Sequence, residues 1–272
     1  MRTPRARGLP VNLQRLRAWH IRFAGYRHHV DHLTVRGWLD QFHARHQDVA
    51  ARILDAVDFF TMARIGAAFR TALDAIPGWS PSARRRNGRW MFSAMSVAAG
   101  ESGDSMLHQF RVANGITNNA LVCQPSEIVT KKLGADDTLV LVDDFIGTGN
   151  QVCDAWDNSF SELAAGIGRV FLVVAVARRA GRQKVSTETG LQVVAPVELD
   201  DADDLFSAAC NHFTAEEKQQ VLHYCRVADQ RNPRGYGDCG LVVVMQHRCP
   251  NDSIPILHRD GHRWIPIFPR NG

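Results

Sequence analysis

The sequence predicts an α/β fold with an open, mostly parallel β-sheet. Between residues 89 and 245, apolar runs rich in Val, Leu and Ala alternate with segments of helical periodicity. The runs are almost continuously apolar, which suits strands that are covered on both faces. Strands that alternate with helices along a chain are typical of a parallel sheet, because each helix returns the chain to the starting edge.

The chain before this region is predicted to add an extension and a helical segment. Residues 1–34 form a basic extension, in which seven arginines and no acidic residue occur among the first 29 positions. The extension would be either an arm that binds nucleic-acid phosphates or a frayed N-terminus, and we favour the frayed N-terminus. Residues 35–80 are predicted to form helices that pack on the core, with Val49, Ile53 and Val57 on a buried face.

The predicted domain that contains the sheet covers residues 88–272. Its strands are predicted at 90–97, 120–123, 138–142, 170–177, 191–197 and 241–245. Its helices are predicted at 104–114, 125–133, 150–164 and 213–226. Residues 198–239 begin with an acidic run and are predicted to form a helical insertion, or hood, over the ends of the strands.

Composition narrows the class of protein. Hydrophobic residues make up 45% and charged residues 22% of the 272 residues, as in soluble globular proteins. The longest apolar runs are far shorter than the ~20 residues of a membrane-spanning helix, and no secretory apolar region follows the basic N-terminus. We therefore expect a cytoplasmic protein without a membrane partner. The six cysteines show no C-x-x-C spacing, which argues against a zinc ribbon and favours buried free thiols.

The most informative segment is Thr-Leu-Val-Leu-Val-Asp-Asp-Phe-Ile-Gly-Thr-Gly-Asn at residues 138–150. A predicted buried strand ends in Asp143 and Asp144, and a short glycine loop leads into a helix. Glycines let backbone N–H groups approach a phosphate, and the helix N-terminus favours an anion. The carboxylates could accept hydrogen bonds from a ribose diol, or bind Mg²⁺ directly or through water. The alternative is an ordinary strand–turn–helix with capping aspartates.

Two further segments contain candidate ligand-binding residues. After the first predicted strand of the sheet, the loop at residues 100–103 could present backbone amides to phosphate oxygens. The alternative for this loop is a flexible turn that caps the next helix. Near the C-terminus, a predicted strand leads to His247 and to a loop with Asn251. His247 is either a candidate general base or a structural histidine.

The segment at 138–150 resembles the phosphoribosyl pyrophosphate signature of type I phosphoribosyltransferases. That signature is an apolar strand, two acidic residues, two apolar residues and then Thr-Thr-Gly or a variant. The resemblance implies the type I phosphoribosyltransferase fold, with Asp143 and Asp144 on the ribose hydroxyls and residues 146–150 around the 5-phosphate. The predicted ligand-binding residues are Asp143, Asp144, Phe145, Ile146, Gly147, Thr148, Gly149, Asn150, Gly100, Glu101, Ser102, Gly103 and Asn251.

Two positions depart from the phosphoribosyltransferase pattern. Gly147 stands where the first threonine is usual, and Gln151 stands where a threonine or serine often contacts phosphate. Both departures weaken the expectation of full transferase activity.

The C-terminal segment is similar to that of the PRTase-CE family, which is found in bacterial conflict and anti-phage systems. The matching residues of the tail are Pro250, Asn251, Pro255, Leu257, Trp264, Pro266, Phe268, Pro269 and Arg270. Asp252 replaces a second asparagine, and His258 replaces a tryptophan. With weaker matches at 38–42 and 111–115, the resemblance covers about residues 35–270. It implies an effector or sensor in a defence locus.

Three functions are compatible with these observations. The chain could be a transferase that binds phosphoribosyl pyrophosphate with Mg²⁺ as cofactor and displaces pyrophosphate at C1 of the ribose. It could instead be a non-catalytic sensor or regulator on the same fold, since fold does not determine function. A third alternative is a module that contacts nucleic acid through its arginine-rich N-terminus. A defence-system protein partner is expected from the resemblance alone.

Overall fold

The computed structural model describes residues 11–95, 103–261 and 263–270, and these residues belong to two compact units. The sheet unit is Ala63–Leu199, and the terminal unit is Met1–Met62 together with Asp200–Gly272. The helices are α1 (Leu13–Phe23), α2 (His32–Leu39), α3 (Gln47–Ala56), α4 (Met62–Asp74), α5 (Gly103–Asn114), α6 (Glu127–Lys131), α7 (Asn150–Ala155), α8 (Arg179–Thr189), α9 (Ala215–Ala228) and α10 (Pro255–His258). The strands are β1 (Asp58–Phe60), β2 (Trp90–Ala94), β3 (Leu121–Val122), β4 (Thr138–Ile146), β5 (Arg169–Arg178), β6 (Gln192–Val194), β7 (Val197–Leu199) and β8 (Val243–Met245).

The sheet unit is built on six strands. Their hydrogen-bonded order is β3-β2-β4-β5-β6, and β7 pairs with the last residues of β5. The strand pairs of this sheet are parallel, which confirms the predicted α/β fold with an open, mostly parallel sheet. β4 and β5 lie at its centre, and most of their residues are buried. Two-sided burial explains why these strands are nearly continuous in apolar residues.

Four elements of the sheet unit differ from the prediction. The single strand predicted at 191–197 is instead two strands, β6 and β7. β4 was expected to end at residue 142 but continues to Ile146, so that both aspartates lie within the strand. The prediction missed α8, in which only Gly181 and Val185 are buried, so that its apolar periodicity is weak. The helix after the glycine loop is α-helical only over α7 and continues as a π-helical turn, Trp156–Phe160.

The terminal unit has its own hydrophobic core and a two-stranded parallel sheet. β1 pairs with β8, and Phe59 lies opposite Val244. The predicted burial of Val49, Ile53 and Val57 is confirmed, since each is exposed by 8% or less. The expectation that the segment at residues 35–80 is helical throughout is wrong, because β1 interrupts the helices there.

The N-terminal extension is not a frayed segment over the part that the structure describes. α1 begins after Asn12, whose side chain accepts a hydrogen bond from the N–H of Arg15 at 2.9 Å. Leu16, Trp19 and Phe23 lie on one face of α1 and are buried in the core of the terminal unit. This packing explains why α1 is ordered despite its basic composition. Residues 1–10 lie outside the described residues.

The two compact units do not follow the segment limits predicted at residues 34, 80 and 88. From Asp200 onward, the residues predicted to form the hood belong to the terminal unit. There α9 begins with a capping box, in which Thr214 and Glu217 each accept a hydrogen bond from the other's backbone N–H. Whether the predicted segments are domains, and whether residues 198–239 cover the strand ends, stays a prediction.

A buried carboxylate fixes the start of the central strands. Asp137 accepts hydrogen bonds from the backbone N–H of Arg89 (2.7 Å) and of Gly134 (2.9 Å), and from Nη2 of Arg89 (2.6 Å). The side-chain bond from Arg89 is the main reason that the pKa of Asp137 is lowered to about 2. Asp137 therefore joins the residue before β2 to the turn before β4.

We predict that Asp137→Asn lowers the free energy of unfolding by about 1–3 kcal/mol at pH 7, because charge-assisted hydrogen bonds are lost. A carboxylate whose pKa is lowered in the folded state stabilises that state above its unfolded pKa of about 4. This stabilisation is lost as the pH falls towards 2. Urea unfolding should therefore show a difference between wild type and variant that shrinks below pH 4. Asp136→Asn, which changes an exposed neighbouring carboxylate, is the control, and equal losses in both variants would contradict the prediction.

Candidate functional site

The candidate site begins where β4 ends at the carboxyl edge of the parallel sheet. Residues 147–149 form the loop between β4 and α7. β5, the parallel neighbour of β4, leads at the same edge directly into α8. Ligands of open α/β sheets bind at this edge, outside the carboxyl ends of the strands. The predicted loop therefore lies where the fold allows a ligand.

Backbone packing holds the loop against α8. Gly149 has φ +84°, a left-handed conformation that L side chains rarely adopt. A Cβ on Gly149 would also lie 2.8 Å from the carbonyl oxygen of Gly181. Conversely, a Cβ on Gly181 would overlap the carbonyl oxygen of Gly147. The loop can adopt this path because glycine occupies each point of close approach.

The two aspartates occupy successive positions of β4 and differ in exposure. Asp143 is 6% exposed, and its Oδ1 accepts the backbone N–H of Asp144 at 2.9 Å. Asp144 is half-buried. Because successive side chains of a strand point to opposite faces, the two carboxylates are not arranged to share one cation directly. This geometry favours contact with Mg²⁺ through water or through a ligand's own oxygens.

Polar side chains fix the start of α7. The hydroxyl oxygen of Thr148 accepts the N–H of Asn150 at 3.3 Å. Lys184 of α8 donates to Oδ1 of Asn150 and also lies 3.9 Å from Glu188. An ammonium group therefore lies beside the first residue of α7, where backbone N–H groups already favour an anion.

The other basic side chains of α8 are neutralised locally. Arg179 and Arg182 contact the two oxygens of Glu198 at 2.7 and 2.8 Å. The hydrogen bond from Arg179 is the main cause that lowers the pKa of Glu198. These two arginines are therefore paired with the edge strand β7.

Sequence reasoning missed the contribution of α8 to the site. Gly181 and Lys184 contact the loop, yet neither belongs to a recognisable motif. The available signal was the basic stretch at residues 178–184, which directly follows a predicted central strand. A basic segment at the carboxyl end of a strand next to a phosphate loop indicates a second wall of the site.

A family model identifies the chain. The PRTase-CE model matches residues 35–270. The chain belongs to the PRTase-CE family. Its fold and class are therefore phosphoribosyltransferase-like, as the loop at 143–150 and the tail predicted.

Other comparisons add little to the assignment of this PRTase-CE protein. No curated protein matches the chain. Solved structures with similarity to it include that of the AQ2163 protein from Aquifex aeolicus. That match has 11% sequence identity and a TM-score of 0.34, and covers 62% of this chain and 83% of the other. A similarity of this extent supports no inference. None of the helices in the described ranges has the length and hydropathy needed to cross a bilayer.

The remaining predicted site residues are distributed over both units of the PRTase-CE protein. Gly103 is the buried first residue of α5 in the sheet unit, whereas Gly100, Glu101 and Ser102 lie outside the described residues. His247 and Asn251 belong to the terminal unit. His247 follows β8 and is half-buried. The predicted roles of these residues stay predictions.

Asn251 lines a cavity of about 340 Å³ in the terminal unit, and His247 is not part of that lining. A second cavity, of about 360 Å³, lies in the sheet unit near Trp156 and Leu191. Neither cavity is lined by residues 143–150. The glycine loop is therefore not part of the wall of either cavity.

The described residues contain no group of three or more histidine, cysteine or acidic side chains that could hold a metal ion. Five of the six cysteines are buried, and Cys123 is exposed. Mg²⁺ commonly binds through one or two carboxylates together with water and substrate phosphates, and Asp143 and Asp144 are carboxylates of this type. Binding of Mg²⁺ at the loop stays a prediction.

We predict that Gly181→Ala lowers the free energy of unfolding by about 1–3 kcal/mol, because the added Cβ forces the loop and α8 apart. Amide hydrogen exchange at residues 147–150 should become faster in the variant, since the loop loses its contact. Gly134→Ala is the matched control, because no atom lies within 4 Å of a Cβ there. Unchanged stability and exchange in Gly181→Ala would refute this description of the loop.

Proposed function

We propose that the protein binds phosphoribosyl pyrophosphate, or a related ribose-5-phosphate ligand, at residues 143–150. The observation that supports this proposal most strongly is the loop between β4 and α7. Its left-handed Gly149 and its packing on Gly181 leave backbone amides at the carboxyl edge of a parallel sheet. Membership of the PRTase-CE family supports a ligand of nucleotide type.

Each part of the loop has a distinct role in this proposal. The N–H groups of residues 147–150 donate hydrogen bonds to the 5-phosphate, and the start of α7 adds positive potential. Lys184 lies beside Asn150 and adds a positive charge to the same region. Asp143 and Asp144 accept hydrogen bonds from the ribose hydroxyls. Mg²⁺ would bind the pyrophosphate and contact the carboxylates through water.

Transfer chemistry at this site would depend on positioning. Displacement of pyrophosphate at C1 forms a bond to an acceptor, breaks the bond to the pyrophosphate oxygen, and develops positive charge on the ribose. Asp143 and Asp144 would orient the ribose ring, and fixed amide dipoles would hold the 5-phosphate at no reorganisation cost. We propose that Gly103, with Gly100, Glu101 and Ser102, binds the departing pyrophosphate. His247 is the candidate general base.

A sensor without turnover is the second candidate function. The observations that favour it are Gly147, which lacks the usual threonine hydroxyl, and Gln151, whose side chain is exposed. Loss of a hydroxyl that contacts phosphate removes an interaction that could strengthen in the transition state. A pyrophosphate-release assay with nucleobases, nucleotides and RNA ends as acceptors separates the two functions. Turnover establishes the transferase, whereas tight binding without turnover on any acceptor favours the sensor.

We further propose a defence-system protein partner and contact with nucleic acid. The contacts of the N-terminal arginines restrict which side chains could bind nucleic-acid phosphates. Arg15 contacts Asp55 at 2.5 Å, and Arg22 donates to backbone carbonyls that include that of Asp55. These two side chains form contacts within the terminal unit. Contact with phosphates would therefore use exposed arginines such as Arg17 and Arg27, and its strength would fall steeply with salt.

Isothermal titration with phosphoribosyl pyrophosphate and Mg²⁺ should show saturable binding to the wild-type protein. We predict that Asp143→Asn with Asp144→Asn weakens this binding by about 1–3 kcal/mol, because charge-assisted hydrogen bonds and metal contacts are lost. The matched control is Asp154→Asn with Asp157→Asn, which removes the same charge from exposed positions after the loop. Equal affinity in the wild type and the folded loop variant would exclude this site.

A further inference from the structure

The cavity of about 340 Å³ in the terminal unit has the features of a built anion site. Its wall is formed by the residues after α9, by the segment from the β8–α10 loop through α10, and by Arg270. Its volume is within the range of sites that bind small molecules, about 300–1,000 Å³. Its lining contains three arginines and two asparagines, which are donors for polar ligands, and also the carboxylates of Asp229 and Asp260.

Two guanidinium groups on the cavity wall lack a counter-ion. Of the three arginines there, Arg259 pairs with Asp229 at 3.5 Å. Within the described part of the chain, Arg248 and Arg270 form no ion pair, and Nε of Arg248 is buried without a hydrogen-bond partner. Burial is the largest cause that lowers the pKa of Arg270, and the positive charge of Arg248 is the second. The charge of Asp252 raises this pKa. Two like charges in one half-buried wall are stabilised by a bound anion.

His258 lines the same cavity and has a buried ring nitrogen without a hydrogen-bond partner among the described residues. His258 is 6% exposed, and its Nε2 lies 3.0 Å from the carbonyl oxygen of Ser253. A carbonyl oxygen can only accept, so Nε2 carries the proton and Nδ1 is the acceptor. Burial, followed by the charge of Arg270, lowers the pKa of His258 to about 4, so the ring is neutral near pH 7. Nδ1 is buried without a partner in the described residues.

These groups define the chemistry of a complementary ligand. A phosphate dianion matches two guanidinium groups better than a carboxylate does, because it neutralises both charges and accepts several N–H bonds. Nδ1 of His258 would repel an anionic oxygen but accept a hydrogen bond from a hydroxyl. Asn251, on the same wall, can donate to the phosphate or accept from the hydroxyl.

We propose that this cavity binds a small phosphate monoester that also carries a hydroxyl group. The phosphate contacts Arg248 and Arg270, and the hydroxyl donates to Nδ1 of His258. A buried polar atom without a partner is destabilising, and a ligand that supplies the partner removes this cost. The site is additional to residues 143–150, since its lining comes from the terminal unit alone. A cavity filled only by water is the competing explanation.

The test uses ribose 5-phosphate, with ethyl phosphate as the probe without a hydroxyl and ribose as the probe without phosphate. Titrations are done on the full chain with Asp143→Asn and Asp144→Asn, so that binding at the loop is weakened, and Arg270→Gln in this background reports on the cavity. We expect ribose 5-phosphate to bind, ethyl phosphate to bind more weakly, and ribose not to bind. In this background, Arg270→Gln should weaken ribose 5-phosphate binding at least tenfold. Hydrogen exchange should slow at residues 248–258 when ribose 5-phosphate is added.

Two further variants keep the test decisive. Arg231→Gln removes an exposed positive charge outside the cavity lining and should change the affinity less than twofold. His258→Gln should reduce the preference for ribose 5-phosphate over ethyl phosphate. If this buried variant does not fold, the result for Arg270→Gln alone tests the proposal. Absence of saturable binding, or binding that Arg270→Gln leaves unchanged, would overturn the proposal and leave a water-filled cavity. Because the loop is already altered, failure here leaves phosphoribosyl pyrophosphate binding at residues 143–150 unaffected.

Discussion

The candidate site depends on a close contact between two backbones. The carbonyl oxygen of Gly147 lies where a side chain on residue 181 would begin, and Gly149 approaches the carbonyl of Gly181 in return. This contact fixes the path of the loop between β4 and α7. Because β4 and β5 are neighbours in register, the same contact also positions α8, which follows β5 directly. A phosphate loop of this kind requires glycine for packing as well as for access to the ligand.

The charges around the loop follow from this arrangement. Lys184 lies one turn after Gly181 on α8 and contacts Asn150 at the start of α7. The arginines at the start of α8 are held instead by Glu198. Among the described basic residues of α8, Lys184 is therefore the one whose side chain contacts the start of α7. Such an arrangement favours one phosphate at a defined position.

The sequence was sufficient to predict the sheet and the loop, because both depend on local patterns. Continuous apolar runs identify central strands, and the order of acidic residues and glycines identifies the turn after β4. α8 escaped prediction because it buries only two residues, so that its periodicity is weak. For α1, the buried residues Leu16, Trp19 and Phe23 were at helical spacing, but the arginines obscured the pattern.

Long-range pairing was the part that the sequence could not provide. The contact of Arg15 with Asp55 joins residues 40 positions apart, and no local pattern indicates it. The cavity of the terminal unit likewise combines residues 229–260 with Arg270. Asn251, Pro255, His258 and Arg270 were already identified in the tail pattern, whereas the cavity that they share with the residues after α9 became evident only in three dimensions.

The central claim is that the amides of residues 147–150 bind the 5-phosphate of phosphoribosyl pyrophosphate. A crystal structure of the protein grown with this compound and Mg²⁺ tests the claim most directly. The account predicts density for the 5-phosphate with oxygens about 2.7–3.2 Å from backbone nitrogens of residues 147–150, and ribose hydroxyls beside Asp143 and Asp144. Ligand density elsewhere in the molecule, with these amides turned to solvent, would contradict it.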